Sequence, residues 1–195
     1  MSGDDLESRV DAILRGNPRL MRVLETARDL GLPQWRVVSG AIYQTVWNAL
    51  TGRAPDHGLK DFDLFYYDAS DLSYEAEDGV IRAAAAAFPA DLAGLVEVRN
   101  QARVHLWFED HFGEPYAPLS CCDEAVERFV APAFAVGVRL EADGGLDILA
   151  PFGLEDLFAM RLRPNPTRGL ARGWVKVVAS AKARWPELIA DEPSP

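Results

Sequence analysis

The sequence predicts an α+β protein with a helical segment at each end. Three observations carry this. Apolar residues recur at helical spacing near both termini, at Leu6, Val10, Ile13 and Leu14 and again at Trp174, Val177, Val178, Ala181 and Trp185. Strand-like runs lie between them, the clearest being Lys60-Asp61-Phe62-Asp63-Leu64-Phe65-Tyr66-Tyr67-Asp68. One such run turns directly into an apolar helix at Ser39-Gly40-Ala41.

In chain order, residues 4–32 read as helix, continued by Leu20, Met21, Leu24, Ala27 and Leu30. Asn17-Pro18 splits it in two, because the residue before proline avoids the helical region. Gly31 and Pro33 then stop it. Residues 35–38 are a short apolar strand, and 41–50 a helix. A loop rich in Gly, Pro and Asp fills 51–59 before the strand at 61–67. Residues 71–88 read as a helix capped by Ser70 or Asp71, with Ala83 to Ala87 strongly helix-forming. Residues 95–108 read as β, either one long strand or a hairpin turning near Asn100-Gln101. An unbroken strand would place Glu97, Arg99, Gln101, Arg103 and His105 on one polar face. Residues 111–119 are a loop, and Ser120 caps a helix to about Phe129. A hairpin crosses Asp143-Gly144-Gly145, joining strands at 136–141 and 146–149. Helix 152–160, a rigid basic loop Arg163-Pro164-Asn165-Pro166, helix 168–185 and a disordered tail follow. The expected organisation is one domain over 1–195: N-terminal helices 1–32, core 33–150, C-terminal helices 151–188 and tail 189–195.

Composition suits a globular core: the chain holds nine Phe, five Trp and five Tyr in 195 residues. The net charge of −10 argues against a broad, sequence-independent grip on nucleic acid, which needs basic surface. Cys121 and Cys122 are adjacent, a poor spacing for a structural disulfide or zinc, and read as two small residues near a helix start. No basic leader and no run of about 20 apolar residues precedes or interrupts the chain, so a cytoplasmic protein with no membrane partner is expected.

The acids at the start of the 61–67 strand stand out. Side chains alternate along a strand, so Asp61 and Asp63 share one face while Phe62, Leu64 and Tyr66 face a core. Two carboxylates there are costly unless paired, and a divalent metal is a reason to keep them; an exposed strand start is the other reading. The turn before them leads into a helix N-terminus, whose free N–H groups suit phosphate. Metal-assisted nucleotidyl transfer needs these parts: carboxylates holding Mg²⁺, and backbone amides holding the outer phosphates.

Here the residues resemble a known family. Ser39-Gly40 followed by Asp61-Phe62-Asp63 resembles the glycine turn and Asp-x-Asp of the nucleotidyltransferase (polymerase-β-like) superfamily. The chain is similar to a bacterial nucleotidyltransferase-like family of unassigned function over about residues 10–188. The stretches that carry this are Ser39-Gly40-Ala41 with Trp47-Asn48, the strand from Asp61 to Asp68, Val96 to Trp107, Pro151-Phe152-Gly153-Leu154-Glu155-Asp156-Leu157, and Arg163-Pro164-Asn165-Pro166. The resemblance implies a nucleotidyltransferase-like mixed β-sheet flanked by α-helices. It also implies Mg²⁺, with Mn²⁺ as a substitute, and transfer of a nucleoside monophosphate from NTP to an acceptor. Asp61 and Asp63 would be metal ligands and catalytic. Glu97 is the candidate third acid, an ion pair with Arg99 or Arg103 being its other reading. Ser39, Gly40, Lys60, Arg99, Arg103 and His105 are the nucleotide-binding candidates, and Arg163 and Lys176 are placed to reach the triphosphate.

Two positions depart from the superfamily's usual pattern. Ala41 stands where Gly or Ser is usual, and Glu97 where Asp is commoner. Three readings result. The first is an Mg²⁺-dependent nucleotidyltransferase whose acceptor is a small molecule, a protein or an RNA end. The second is a non-catalytic nucleotide-sensing module, and the third a toxin-like enzyme modifying RNA ends.

Overall fold

The structure is a computed structural model that describes residues 3–168 and 172–191. The chain begins with α1 (Gly3–Arg15) and α2 (Pro18–Leu30), separated where the Asn17-Pro18 signal falls. The Asn17 side chain accepts from the Arg19 and Leu20 N–H groups, and Gly31 closes α2 at φ 64°. Asn17 Nδ2 also donates to Thr45 Oγ1 at 2.9 Å in the interior, tying the helix pair to the next helix.

Then come β1 (Arg36–Val38), α3 (Gly40–Leu50), β2 (Phe62–Tyr66), α4 (Tyr74–Ala87), α5 (Ala90–Ala93) and β3 (Val96–Asn100). Helices α6 (Phe108–Phe112) and α7 (Asp123–Val126) lead to the hairpin β4 (Gly137–Leu140) and β5 (Leu146–Leu149). The chain continues through α8 (Glu155–Phe158), β6 (Arg161–Leu162), α9 (Trp174–Arg184) and β7 (Ile189–Ala190). The main sheet has the order β3-β2-β1-β4-β5. Only its β2–β3 pair is parallel, which the α4–α5 crossover permits. The expected α+β mixed sheet flanked by helices is therefore present.

Helix α3 is buried from Ala41 to Asn48, its polar Gln44, Thr45 and Asn48 included. Trp47 and Trp185 pack against each other at its flank, with ring centroids 5.4 Å apart. Trp185 Nε1 donates to Asn48 Oδ1 at 2.9 Å, so the end of α9 is bolted onto α3. On β2, Phe62, Leu64 and Tyr66 are buried and Asp63 and Phe65 are half-buried, the alternation the sequence predicts.

Several expectations need correction. Residues 95–108 are neither a long strand nor a hairpin: β3 ends at Asn100, followed by a 3-10 turn at Val104–Leu106 and then α6. The Asn100 carboxamide accepts from the Asp68 and Ala102 N–H groups and donates to the Asp68 carbonyl, so it ends the ladder with its own side chain. Gln101, Arg103 and His105 consequently do not continue the Glu97–Arg99 face. Ser73 caps α4, its Oγ accepting from the Ala76 N–H, while Asp71 accepts from the Ser73 N–H instead of capping. The segment after Ser120 is helical only over α7, and Glu124 reaches back to accept from both the N–H and hydroxyl of Ser120. The expected helix at 152–160 shrinks to α8, and β6 pairs in parallel with β7, a small sheet not foreseen. The expected start of the last helix falls partly on residues 169–171, and the expected disordered tail mostly on 192–195; both lie outside the described residues.

Candidate active site

The parallel register sets Asp63 directly opposite Glu97 and Phe65 opposite Arg99. Partners in register on neighbouring strands share a sheet face, so these four side chains form one outward patch. Glu97 is exposed, and its carboxylate lies 3.6 Å from the Arg99 guanidinium. Asp63 is half-buried. Its carboxyl is pushed up to about 6, first by burial and then by the negative charges of Asp61 and Glu97, with Arg99 acting in the opposite sense. Asp61 precedes β2 and lies close enough to influence both Asp63 and the Tyr43 hydroxyl. Asp63 thus pairs in register with Glu97 and feels the charge of Asp61.

The same register fixes the strand–helix turn. Val38 lies opposite Asp63, so Ser39 and Gly40 fall at the end of β2 where Asp61 sits. The resemblance makes Gly40 the turn glycine, but the unusual backbone belongs to Ser39, at φ 51° and ψ −106°. Gly40 is not at positive φ, and a Cβ on it would meet only the flexible end of Gln44 at 3.1 Å. Ser39 is over-determined by its surroundings. Its N–H donates to the Val136 carbonyl at 2.8 Å, and its carbonyl accepts from the Ile42 and Tyr43 N–H groups. No side chain among the described residues caps α3, so of its first-turn amides those of Gly40 and Ala41 suit an anion, while Ile42 and Tyr43 donate to Ser39. Strain of this kind, in a residue other than glycine, collects at ligand sites. Ser39→Gly is expected to stabilise the protein by about 1 kcal/mol and raise Tm by about 2–4 °C. Urea unfolding would measure this, and an unchanged or lower midpoint would mean that Ser39 stores no strain.

Arg184 is a residue the sequence reasoning passed over in favour of Arg163 and Lys176. Arg163 is engaged with Asp156 at 2.6 Å, and Lys176 is exposed on α9. Arg184 instead donates to Gln44 Oε1 at 3.4 Å and the Gly58 carbonyl at 3.3 Å, beside the start of α3. Its guanidinium stacks over Trp185 at 4.7 Å, and no carboxylate among the described residues lies within ion-pair distance. Only the packing of Trp185 onto α3 puts it there, and helical periodicity carries no such information.

The other candidates separate. Lys60 is exposed at the entry to β2. Arg103 is 9% exposed and is held by the Glu77 carboxylate and, at 2.9 Å, by the Leu72 carbonyl. His105 sits on the 3-10 turn, its buried Nδ1 without a hydrogen-bond partner. Cys122 is buried, and burial, with Asp123 adding to it, pushes its thiol up to about 12, so it packs as a small apolar group.

Over the Asp63–Glu97 patch lies a cleft of about 920 Å³. Its walls come from α4, from the Gln101–Phe112 stretch and from Ala125 to Val130. The carboxylates are hard oxygen donors of the kind Mg²⁺ takes, usually one or two together with substrate phosphates. No three His, Cys, Asp or Glu side chains among the described residues converge into a preformed cage. The carboxylates of Asp61 and Asp63 would suit a cation whose remaining ligands are substrate phosphates, and Glu97 lies beside Arg99.

This architecture has a counterpart among solved structures. The chain superposes with a TM-score of 0.77 on an NMR structure described as revealing a CCA-adding enzyme head domain, at 23% identity over 95% of this chain and 96% of that one. The likeness shows that the two chains share this fold. A family profile described as Nucleotidyltransferase matches residues 25–190, and the chain belongs to that family. The protein is accordingly a nucleotidyltransferase, an enzyme acting on nucleotides. No curated protein matches it. No helix among the described residues is long and apolar enough to cross a membrane.

Proposed function

We propose that the protein transfers a nucleoside monophosphate from an NTP to a hydroxyl-bearing acceptor in an Mg²⁺-dependent reaction, with Mn²⁺ able to substitute. The supporting observation is the pairing of Asp63 with Glu97 in register, with Asp61 beside them and the Asp63 carboxyl pushed up to about 6. Such concentrated acidity is costly in the free protein and suits a site built to receive a cation. Bound Mg²⁺ would neutralise phosphate charge and lower the barrier at phosphorus.

The chain's own residues do the rest. Asp61 and Asp63 would hold the cation. The Gly40 and Ala41 amides, with Lys60 and Arg184, receive the outer phosphates. Arg99 steadies Glu97 and the α-phosphate. The acceptor oxygen forms a bond to the α-phosphorus while the bond from that phosphorus to the bridging oxygen breaks. Pyrophosphate leaves, and the acceptor proton passes to Glu97 and then to water.

Thermal unfolding with each NTP, with and without Mg²⁺, tests the binding half. Ligand at about 100 times its dissociation constant should stabilise by about 2.7 kcal/mol. That stabilisation should require Mg²⁺. No shift with any of the four nucleotides would sink the reading.

A further inference from the structure

The cleft over the carboxylates has a second character that nucleotide binding does not use. Phe65, Trp107, Phe108 and Phe129 line it half-buried, and Tyr74 and Phe112 stand at its mouth, 68% and 50% exposed. Phe65 and Phe129 are stacked, with centroids 6.1 Å apart and planes at 8°. Beside Phe129 is Arg128, whose guanidinium lies 4.4 Å over the Tyr116 ring and donates to the Ala117 carbonyl at 3.1 Å. No carboxylate among the described residues lies within ion-pair distance of it. Of the charges around it, Glu124 is engaged with Ser120, and Arg168, which also lines the cleft, with Glu114 at 2.6 Å.

These features form a path. Asp63 and Phe65 are two residues apart on one strand face, and the stacked Phe129 leads on to Arg128. By strand rise and ring spacing, the path from the reacting end to the cation is on the order of 10 Å. A volume of about 920 Å³ is that of a small-molecule site. A nucleic-acid polymer is disfavoured by the chain's net charge of −10.

We propose that this cleft is the acceptor site, and that the acceptor is a small molecule of three parts. Its hydroxyl faces Asp63 and Glu97, a flat apolar body about two rings long lies against Phe65, Phe129 and Trp107, and an anionic group pairs with Arg128. The proposal rests on the assignment of Asp63 and Glu97 as the reacting end; the transfer step is the one given above.

The probe is 4′-(hydroxymethyl)biphenyl-4-carboxylate, compared with its neutral 4-carboxamide, both titrated calorimetrically into the full chain without nucleotide. The carboxylate should bind about tenfold more tightly, the usual worth of one charge-assisted hydrogen bond. Arg128→Gln should abolish that preference while leaving the NTP-dependent thermal shift unchanged. Trp107→Ala should weaken both probes alike, and Phe129→Leu serves if that variant does not fold. Equal affinity for the two probes, an unaltered preference in Arg128→Gln, or displacement by a short single-stranded oligonucleotide at lower concentration than the carboxylate would overturn the proposal. Loss of the NTP shift in the unmodified protein would instead overturn the nucleotide reading, so the two failures are separable.

Discussion

Asp63→Asn is expected to make the protein more stable and leave it unable to transfer nucleotide. The sign of the stability change comes from the raised carboxyl. In the unfolded chain an aspartate has its ordinary value of 3.8, whereas in the fold Asp63 is pushed up to about 6. Between those values the folded state holds more protons than the unfolded one, so stability falls as pH rises from about 4 to about 6. Below about 4 both states are protonated and the penalty vanishes; above about 6 it is complete. Asparagine cannot ionise and carries no such penalty. At pH 8 the variant should therefore be more stable by about 2 kcal/mol, with the difference disappearing near pH 4. Urea unfolding across that range measures it. The transfer rate should drop by at least about 100-fold, since a lost cation ligand removes several kcal/mol of transition-state stabilisation. Radiolabel passing from NTP to an acceptor at an undiminished rate, or a variant less stable at pH 8, would defeat the assignment of Asp63.

The second large effect belongs to Glu77. Glu77 and Arg103 are 7% and 9% exposed and form an ion pair, and Glu77 Oε1 also accepts the Asn100 N–H at 2.9 Å. One carboxylate thus anchors the end of β3 and satisfies a buried guanidinium. Glu77→Ala leaves Arg103 buried without its partner, which typically costs about 3–5 kcal/mol. The double variant Glu77→Ala/Arg103→Met should recover much of that loss, because replacing both charges leaves nothing buried and unpaired. Chemical denaturation of the single and double variants measures the coupling. A single-variant loss below about 1 kcal/mol would mean that the pair does not hold this wall of the cleft.

Parts of the site were readable from residues alone because their signals are local. Alternation along 61–67 needs only neighbours on one strand, and it placed Asp63 on the open face and Phe62 in the core. The Asn17-Pro18 break and the Gly31 stop act within one helical turn. The pairing of Asp63 with Glu97 was anticipated as a role for Glu97, though its register was not. Arg103 and His105 were expected on the Glu97 face because unbroken alternation puts them there. Asn100 removes them by bonding its own side chain to the backbone around Asp68, a choice that depends on where residue 68 lies in space. The turn was located at Ser39-Gly40, and its unusual backbone lies at Ser39. Glycine is the usual residue for such a backbone, and only the bonds from Ser39 to Val136, Ile42 and Tyr43 place the burden one position earlier.

From its residues alone, this chain specifies an α+β scaffold, an acid-bearing strand and a strand–helix turn in front of it. Periodicity, caps and alternation are properties of a few consecutive residues and survive without the rest of the molecule. Which charges are free and which are committed was settled by folding. Arg103 meets Glu77 across 26 positions, Arg184 meets Gln44 across 140, and Arg128 is left without a carboxylate. Such pairings depend on the distance between segments far apart in the chain. That distance is set by how α3, α4 and α9 pack on the sheet, which no local pattern encodes.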